Sequence, residues 1–480
     1  VIPHRMTDGY GLNERLIRQA NTDGVDWIVT CDNGIAAYDE IQLANELGMH
    51  VIVTDHHSIP FEKTADKNAG TDTPQQVITY RIPPAEAVVN PHLPDDSYPF
   101  KDICGAVVAW KVVQLLYEKQ GIAADEAIDE YIQFAAFATV GDLMPLIDEN
   151  RAIVKIGLEH MIHTRNIGLS SLIEQSGIDG YNINTYHLGY VLGPCFNASG
   201  RLVTASLAVE LLLERDPASA TQRASELITM NNMRKQMTEA GTNDAMQTIE
   251  DQNLTDDAVL VVYIPSLHES LCGIVAGRIR ERYSRPAFVI CDGEEYAKGS
   301  GRSIEAYSMY EKMNECADLF VKFGGHPMAA GLTIRKDNIQ KLRYLLNEHC
   351  GLSKTDLVPK IMIDVPMPID YITIPLIQQI NSLEPFGPAN QKPVFADKGL
   401  KVNRILKIGS EKQYRKLSLT GQYGRSIDAL YFGDGSELDA AVCPDSSNLS
   451  IIYEPQINSY KGTETAQIVI RDYHLSDMDK

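Results

Sequence analysis

The sequence predicts an α/β protein in which a parallel-sheet domain is joined by a long helix to a second α/β domain, followed by a β-barrel of the OB type. Short β-branched runs alternate with helical patterns over the first 350 residues, whereas about five alternating strands with little helix follow residue 360. The length of 480 residues also exceeds a single hydrophobic core and suggests roughly three domains.

The first domain is expected to contain a βαβ unit. Residues 27–32 (WIVTCD) and 50–55 (HVIVTD) are short apolar runs rich in β-branched residues, and each ends in an aspartate followed by turn residues. Apolar residues at helical spacing from Ile35 to Met49 join the two runs. In open α/β sheets ligands bind beyond the carboxyl ends of the strands, where Asp32 and Asp55 lie.

The domain boundaries follow from changes of pattern. A polar helical stretch at 217–251 ends the first region, and a new β/α pattern starts at VLVVYIP (259–265). A linker near 351–360 precedes the barrel strands. We therefore assign 1–210 to the first domain, 211–255 to the connecting helix, 256–350 to the second α/β domain and 360–475 to the barrel.

Composition and charge exclude several classes of protein. An apolar content of 44% without a run of about 18 apolar residues is typical of a globular protein that does not span a membrane. The eight cysteines are scattered, with no CxxC pair, which indicates the reduced cytoplasm. A net charge of -21 argues against nonspecific coating of duplex nucleic acid. It does not exclude a nucleic-acid enzyme, because carboxylates that hold divalent cations present positive charge to a phosphate.

The sequence Asp55-His56-His57 at the tip of one strand, with Asp32 at the tip of the preceding strand, predicts a metal site. Adjacent parallel strands lie about 4.8 Å apart, so groups at both tips can converge on one cation. Mixed carboxylate and imidazole ligands suit Mn²⁺ or Mg²⁺, whereas a structural zinc site would require clustered cysteines. A nucleotide-binding sheet with capping aspartates is the plain alternative, which these residues alone leave open.

Several separate motifs together resemble one family. In order and spacing, TCDNGI, VIVTDHH, VVNPH, VGDLMPL, GPCFNASGRL, GSGRSI and GGHPMAAG resemble the RecJ family of single-strand-specific 5′ to 3′ exonucleases, within the DHH phosphoesterase superfamily. The resemblance spans about residues 1–475 and comprises a DHH domain, a connecting helix, a DHHA1 domain and an OB-like domain that contains LEPFGPAN (383–390).

The resemblance implies a function and its requirements. It implies hydrolysis of single-stranded DNA from the 5′ end in DNA recombination and repair, with two Mn²⁺ ions as cofactors and Mg²⁺ as a substitute. It implies single-stranded DNA as the substrate, a single-strand-binding protein and a helicase as partners, and a monomer in the cytoplasm.

The same resemblance assigns roles around the metal site. Asp32 matches an aspartate that bridges two metal ions, and His56 and Asp142 match further metal ligands. His57 matches the histidine that contacts the scissile phosphate. Asp55 is then expected to orient its neighbours, with a plain strand cap as the alternative.

Six other positions are expected to bind the substrate. Three match family residues that hold a 5′-terminal phosphate and three lie in other motifs: Arg5, Ser300 and Arg302 form the first group, and Arg201, His268 and His326 the second. Arginine can bind phosphate bidentately, and a serine between glycines brings a hydroxyl close to an anion. His268 precedes a helix whose N-terminus could bind phosphate, and His326 resembles the substrate-binding motif of DHHA1 domains. The alternative for Arg5 is a solvated surface arginine, and the alternative for Ser300 and Arg302 is a simple turn.

The family also places a DxD motif on a strand upstream of the segment that matches IPHR, and Val1 falls after that point. We therefore expect two aspartate ligands to lie outside this sequence, and the fragment alone to be inactive.

Two other functions stay open at the level of sequence. One is a DHH phosphodiesterase that acts on short oligonucleotides or cyclic dinucleotides, although a small substrate needs no strand-guiding barrel. The other is a catalytically inactive DHH protein that serves as a replication scaffold. The presence of Asp32, His56, His57 and Asp142 argues against the scaffold.

Overall fold

The computed structural model describes residues 1–3, 11–65, 76–409, 411–433, 435–441 and 449–475. The chain forms two compact units, one of Val1–Gln133 with Glu159–Lys360 and one of Phe134–Leu158 with Ile361–Lys480. Among the described residues, no helix is long and apolar enough to cross a membrane.

The chain begins with a small parallel sheet of order β1-β2-β5. The elements of this region are α1 (Glu14–Thr22), β1 (Trp27–Cys31), α2 (Tyr38–Glu46), β2 (His50–Thr54), β3 (Phe61–Ala65), β4 (Gln76–Tyr80) and β5 (Ala87–Val89). The predicted βαβ unit is confirmed. Its helix begins at Tyr38 rather than Ile35, because the backbone first makes a turn in which the Ala37 N–H donates to the Gly34 carbonyl oxygen at 3.0 Å.

Helices then dominate as far as the long connecting helix. They are α3 (Gly105–Lys119), α4 (Ala124–Gly141), α5 (Asp148–Ile162), α6 (Ile167–Gln175), a π-helix (His187–Leu192), α7 (Gly193–Leu202), α8 (Ser206–Leu213) and α9 (Pro217–Asp251). The polar helical stretch predicted at 217–251 coincides with α9, which lies within the range 211–255 assigned to the connecting helix. It starts where the Asp216 carboxylate accepts from the Ser219 N–H at 2.8 Å, with Pro217 in the first turn.

The second α/β region is a five-stranded sheet of order β6-β7-β8-β10-β9. Its elements are β6 (Leu260–Tyr263), α10 (Cys272–Tyr283), β7 (Ala287–Cys291), β8 (Ala297–Arg302), α11 (Met309–Asn314), β9 (Phe320–His326), β10 (Ala329–Ile334) and α12 (Ile339–Glu348). Every residue of β7 is buried, because α9 and α10 contribute to the core on one face and α11 and α12 to the core on the other. The glycine-rich segment around Ser300 is β8, which pairs with the buried β7 on one side and with β10 on the other.

The C-terminal region is a six-stranded sheet of order β11-β12-β13-β14-β16-β15 that also pairs β12 with β15. Its elements are β11 (Val365–Pro366), α13 (Ile374–Asn381), β12 (Phe395–Ile408), β13 (Tyr414–Thr420), β14 (Ser426–Tyr431), α14 (Ser436–Ala441), β15 (Leu449–Tyr460) and β16 (Thr463–Leu475). The additional pairing closes the sheet on itself, as an OB-like fold requires. The buried Arg415 guanidinium, followed by the Lys407 ammonium, lowers the pKa of Asp439 to about 2.

Candidate functional site

Asp32 lies directly beyond the carboxyl end of β1. Its backbone N–H donates to the Thr54 carbonyl oxygen at 3.0 Å, so the ladder between β1 and β2 continues to this residue. Its φ angle is 61°, a left-handed conformation that aspartate tolerates better than most residues. Such a conformation is costly and is concentrated at functional sites. The turn therefore projects a half-exposed carboxylate at the tip of the sheet.

Asp32, His56 and His57 form a cluster that could hold a cation. One ligand atom from each lies within 4.8 Å of the others. The His56 Nε2 lies 3.1 Å from an Asp32 carboxylate oxygen, and the two imidazole rings lie 4.5 Å apart. The His56 side chain is 11% exposed, whereas those of Asp32 and His57 are about half exposed. The donor set of one carboxylate and two imidazoles fits Mn²⁺ or Mg²⁺ and lacks the thiolates of a structural zinc site.

Asp55 is buried beneath this cluster and orients it. One carboxylate oxygen accepts from the Ile35 backbone N–H at 3.0 Å. The other accepts from the His56 backbone N–H at 2.7 Å and lies 2.7 Å from the His57 Nδ1. Burial raises the pKa of this carboxyl, but the hydrogen bonds from Ile35, His57 and His56 outweigh burial and lower it overall. The contact with Asp55 thereby fixes the orientation of the His57 ring through its Nδ1.

Two residues that the sequence reasoning passed over also position the cluster. The Asn90 amide nitrogen donates to the His57 carbonyl oxygen at 3.0 Å, and its oxygen accepts from the His92 N–H at 2.8 Å. Gly105, the first residue of α3, packs so closely on Asp32 that a Cβ there would lie 2.6 Å from the Asp32 Cβ and Oδ1. The only local signals were an Asn-Pro turn and a glycine before an apolar helix, and neither reveals a contact with a distant loop.

Asp142 follows the last residue of α4 and is exposed. It belongs to the second compact unit, whereas Asp32, His56 and His57 belong to the first. Its assignment as a metal ligand stays a prediction. Arg5 lies outside the described residues, so its role also stays a prediction.

Ser300 and Arg302 lie on β8 against the first turn of α10. The Ser300 hydroxyl donates to the Ala330 carbonyl oxygen at 3.2 Å and accepts from the Arg302 Nη1 at 3.0 Å. A Cβ on Gly273 would lie 2.8 Å from the Arg302 Nη2, so this glycine makes room for the guanidinium. Burial, and then the charge of Arg280, lowers the pKa of Arg302. No carboxylate partner of Arg302 lies among the described residues, and an anion would complete its contacts.

Strand register brings His326 into the same row as Arg302. Ala329 on β10 pairs with Arg302 on one side and with His326 on the other. The next row on that face joins Ser300, Gly331 and Gly324, and a Cβ on either glycine would meet nothing within 4 Å. This open face around Gly331 and Gly324 is called the glycine floor. Polar side chains flank it on β8 and β9, two strands that lie about 9 to 10 Å apart. A ligand could approach the backbone closely on such a floor.

Arg201 and His268 lie near the start of α10. The Arg201 Nη1 donates to the Ser270 carbonyl oxygen at 2.9 Å. The His268 Nδ1 lies 2.8 Å from the Ser270 hydroxyl and accepts from the Ser270 N–H at 3.3 Å. His268 thus caps its own turn, and phosphate binding by either residue stays a prediction. Arg285, in contrast, donates to the Thr255 and Asp257 carbonyl oxygens and has a structural role.

Comparison with known families defines the class of protein first. Residues 1–139 match the DHH family N-terminal domain, 256–351 the DHHA1 domain and 363–472 the RecJ OB domain. The sheet that ends in Asp32, His56 and His57 is thus the sheet of a DHH domain, and the glycine floor belongs to a DHHA1 domain.

Sequence identity to two relatives shows the family to which the chain belongs. The chain is 35% identical over 480 residues to the single-stranded-DNA-specific exonuclease RecJ of Bacillus subtilis, covering 99% of this chain and 57% of that protein. It is 30% identical over 492 residues to RecJ of Escherichia coli, covering 98% of this chain and 81% of that protein. The chain belongs to the RecJ family. It spans little more than half of the Bacillus relative.

Solved structures agree with this assignment. The structure of RecJ from Thermus thermophilus in complex with Mn²⁺ matches with a TM-score of 0.79 and 26% identity, covering 97% of this chain and 64% of that one. A structure of exonuclease RecJ bound to manganese matches with a TM-score of 0.60 and 30% identity, covering 74% of this chain and 83% of that one.

Proposed function

We propose that the protein is a metal-dependent exonuclease that hydrolyses single-stranded DNA from its 5′ end. In support, its relatives are named single-stranded-DNA-specific exonucleases. The observation that carries the proposal is the convergence of Asp32, His56 and His57 at the carboxyl edge of the first sheet. The carboxylate and the His56 imidazole at that edge can hold a cation, and the His57 imidazole beside them can contact the phosphodiester on which the cation works.

Mn²⁺, with Mg²⁺ as a substitute, is the proposed cofactor, held by Asp32 and His56 with Asp142 as a further ligand. Ions of this kind supply an activated water and neutralise charge on the attacked phosphate and the leaving oxygen. Asp55 holds His56 and His57 in place through its hydrogen bonds at 2.7 Å. His57 then presents its Nε2 to the scissile phosphate.

Polarity requires a separate pocket, because the hydrolytic groups can act on any phosphodiester that reaches them. Ser300 and Arg302, together with Arg5, are proposed to hold the 5′-terminal phosphate. Support comes from the Arg302 guanidinium, which is anchored through Nη1 at 3.0 Å to Ser300 and at 2.8 Å to the Gly301 carbonyl oxygen, with its Nη2 directed at the first turn of α10. His326, Arg201 and His268 are proposed to contact the following nucleotides.

The remaining proposals concern the cellular setting. A role in recombination and repair, a monomeric state and a cytoplasmic location are proposed. The match to the RecJ OB domain supports a guide for the incoming strand, and the free cysteines among the described residues support a reducing compartment. A single-strand-binding protein and a helicase are the proposed protein partners.

Alanine substitutions of His56 and His57 should have different effects on Mn²⁺ affinity and on kcat. His56→Ala removes a ligand and is expected to weaken Mn²⁺ binding by roughly 10- to 100-fold, whereas His57→Ala should leave the Mn²⁺ affinity within about twofold and lower kcat instead. Calorimetric titration of Mn²⁺ and steady-state kinetics on the same preparations give both quantities. The opposite pattern would show that the roles of the two histidines are exchanged.

The polarity pocket predicts an effect that depends on the 5′ end of the substrate. Arg302→Ala is expected to lower kcat/KM on 5′-phosphorylated single strands by roughly 10- to 100-fold, because a charge-assisted hydrogen bond is lost. On 5′-hydroxyl strands the contact is already missing, so the same substitution should have much less effect.

The comparison uses both enzymes and both substrates at one salt concentration, since phosphate contacts depend on salt. Arg335→Ala, which changes an exposed arginine after β10, is the matched control. Equal losses on the two substrates would show that Arg302 contacts another part of the DNA or stabilises the fold.

A further inference from the structure

Two exposed tyrosines form a stacked pair on the helical segment that leads to Arg201. Tyr186 and Tyr190 lie one turn apart, with ring centroids 5.3 Å apart and an angle of 23° between the rings. They are 60% and 70% exposed, so much of each ring faces solvent.

The first turn of this segment is held in place. The His187 N–H donates to the Asn184 side-chain oxygen at 3.3 Å, and the Asn184 N–H donates to the His187 Nδ1 at 3.2 Å. This reciprocal cap fixes the start of the helix that carries Tyr186. Tyr190 lies in a π-helix and Tyr186 directly precedes it; this rare conformation frequently marks functional sites.

The tyrosines begin a single surface stripe that ends at the phosphate candidate Arg201. Residues 185–202 are continuously helical, and exposed or partly buried positions recur at helical spacing: Tyr186, Tyr190 and Asn197 are exposed, and Pro194 and Arg201 are partly buried. The other side of the segment is buried and packs on α9. At 1.5 Å per residue, Tyr190 lies about 16 Å along the helix from Arg201.

Charge identifies the kind of molecule that fits this stripe. The protein has 64 acidic residues and a net charge of -21, yet none of those acids lies between Asp179 and Glu210. The stripe therefore combines exposed aromatic faces with one guanidinium, in a segment without carboxylates. Nonspecific sites for single-stranded nucleic acid combine stacked aromatics with cationic contacts to the backbone in the same way.

We infer that Tyr186 and Tyr190 are a stacking platform for bases of the DNA strand whose backbone contacts Arg201. This inference rests on the proposed function and adds residues that would hold the strand away from the reacting phosphate. The stacked pair offers a flat, rigid surface that any base can cover, so it would hold a strand without reading its sequence.

The test measures binding of a single-stranded oligodeoxythymidylate with a 5′-phosphate, in EDTA so that it is not cleaved. Tyr186→Leu and Tyr190→Leu are expected to weaken binding roughly 5- to 100-fold, whereas the phenylalanine variants should bind like wild type because a ring is retained. Tyr344→Leu, which changes an exposed tyrosine on α12, is the matched control and should have no effect.

An abasic strand of the same length and charge separates stacking from backbone contacts. The leucine variants should bind it as wild type does, because it has no bases to stack. Leucine variants that bind the thymidylate strand like wild type, or that lose affinity for both strands equally, would overturn the platform and leave the proposed function intact. A wild-type protein that binds neither strand would overturn the proposed function itself.

Discussion

In the full-length protein, Asp32→Asn is expected to lower metal-dependent hydrolysis of single-stranded DNA by roughly 100- to 10,000-fold, since the ions of such a site supply several kcal/mol of transition-state stabilisation. Asparagine preserves the size of the side chain and tolerates the φ angle of 61° at this position. The substitution therefore removes a charge and a carboxylate ligand with little change to the turn.

The matched control is Asp26→Asn, which removes an exposed carboxylate at the opposite end of β1. It should retain wild-type activity. Initial rates are measured over a Mn²⁺ titration, so that weaker binding of the ion can be told from a lower rate at saturation. Wild-type rates for Asp32→Asn at low Mn²⁺ would show that Asp32 is not a metal ligand.

Gly105→Ala is expected to lower activity by about 100-fold or more, although Gly105 itself carries no reactive group. The added Cβ would lie 2.6 Å from the Asp32 Cβ and Oδ1 and 2.7 Å from its Cα, so the backbone of the Asp32 turn must move. A displacement of about 1 Å in a catalytic group can cost 100-fold. Alanine otherwise favours a helix over glycine by about 1 kcal/mol, so α3 should persist.

Circular dichroism and Mn²⁺ calorimetry distinguish this effect from unfolding. The variant should keep its helical signal while its affinity for Mn²⁺ falls. Gly180→Ala is the control, because a Cβ there would meet nothing within 4 Å and its φ is not positive. Full Mn²⁺ affinity in Gly105→Ala would mean that Asp32 does not need its present position.

The elements that could be predicted from the sequence are those defined by local pattern. β1 and β2 are short apolar runs that end in aspartates, and α9 has a capping aspartate, a proline in its first turn and a long polar helical pattern. Because parallel strands place their carboxyl ends together, the convergence of Asp32 with His56 followed from the strand assignment alone.

The supporting contacts could not be predicted in this way, because they join segments distant in sequence. Gly105 contacts Asp32 although the two residues are 73 positions apart in the sequence, and no periodicity near either residue indicates the contact. The row that joins Arg302, Ala329 and His326 depends on the register of three strands, which the glycine-rich sequence of β8 leaves undetermined. The stacked tyrosines were also missed, since their exposure is a property of the folded helix.

The most direct test of the central claim is the order in which the full-length protein releases nucleotides from a single strand labelled differently at its two ends. With Mn²⁺ present, the 5′ label should appear first as a mononucleotide while the 3′-labelled strand shortens steadily. EDTA should stop the reaction, and a circular single strand of the same sequence should persist because it offers no 5′ end. Metal-independent cleavage, equal release from both ends or digestion of the circle would contradict a metal-dependent exonuclease that acts from the 5′ end.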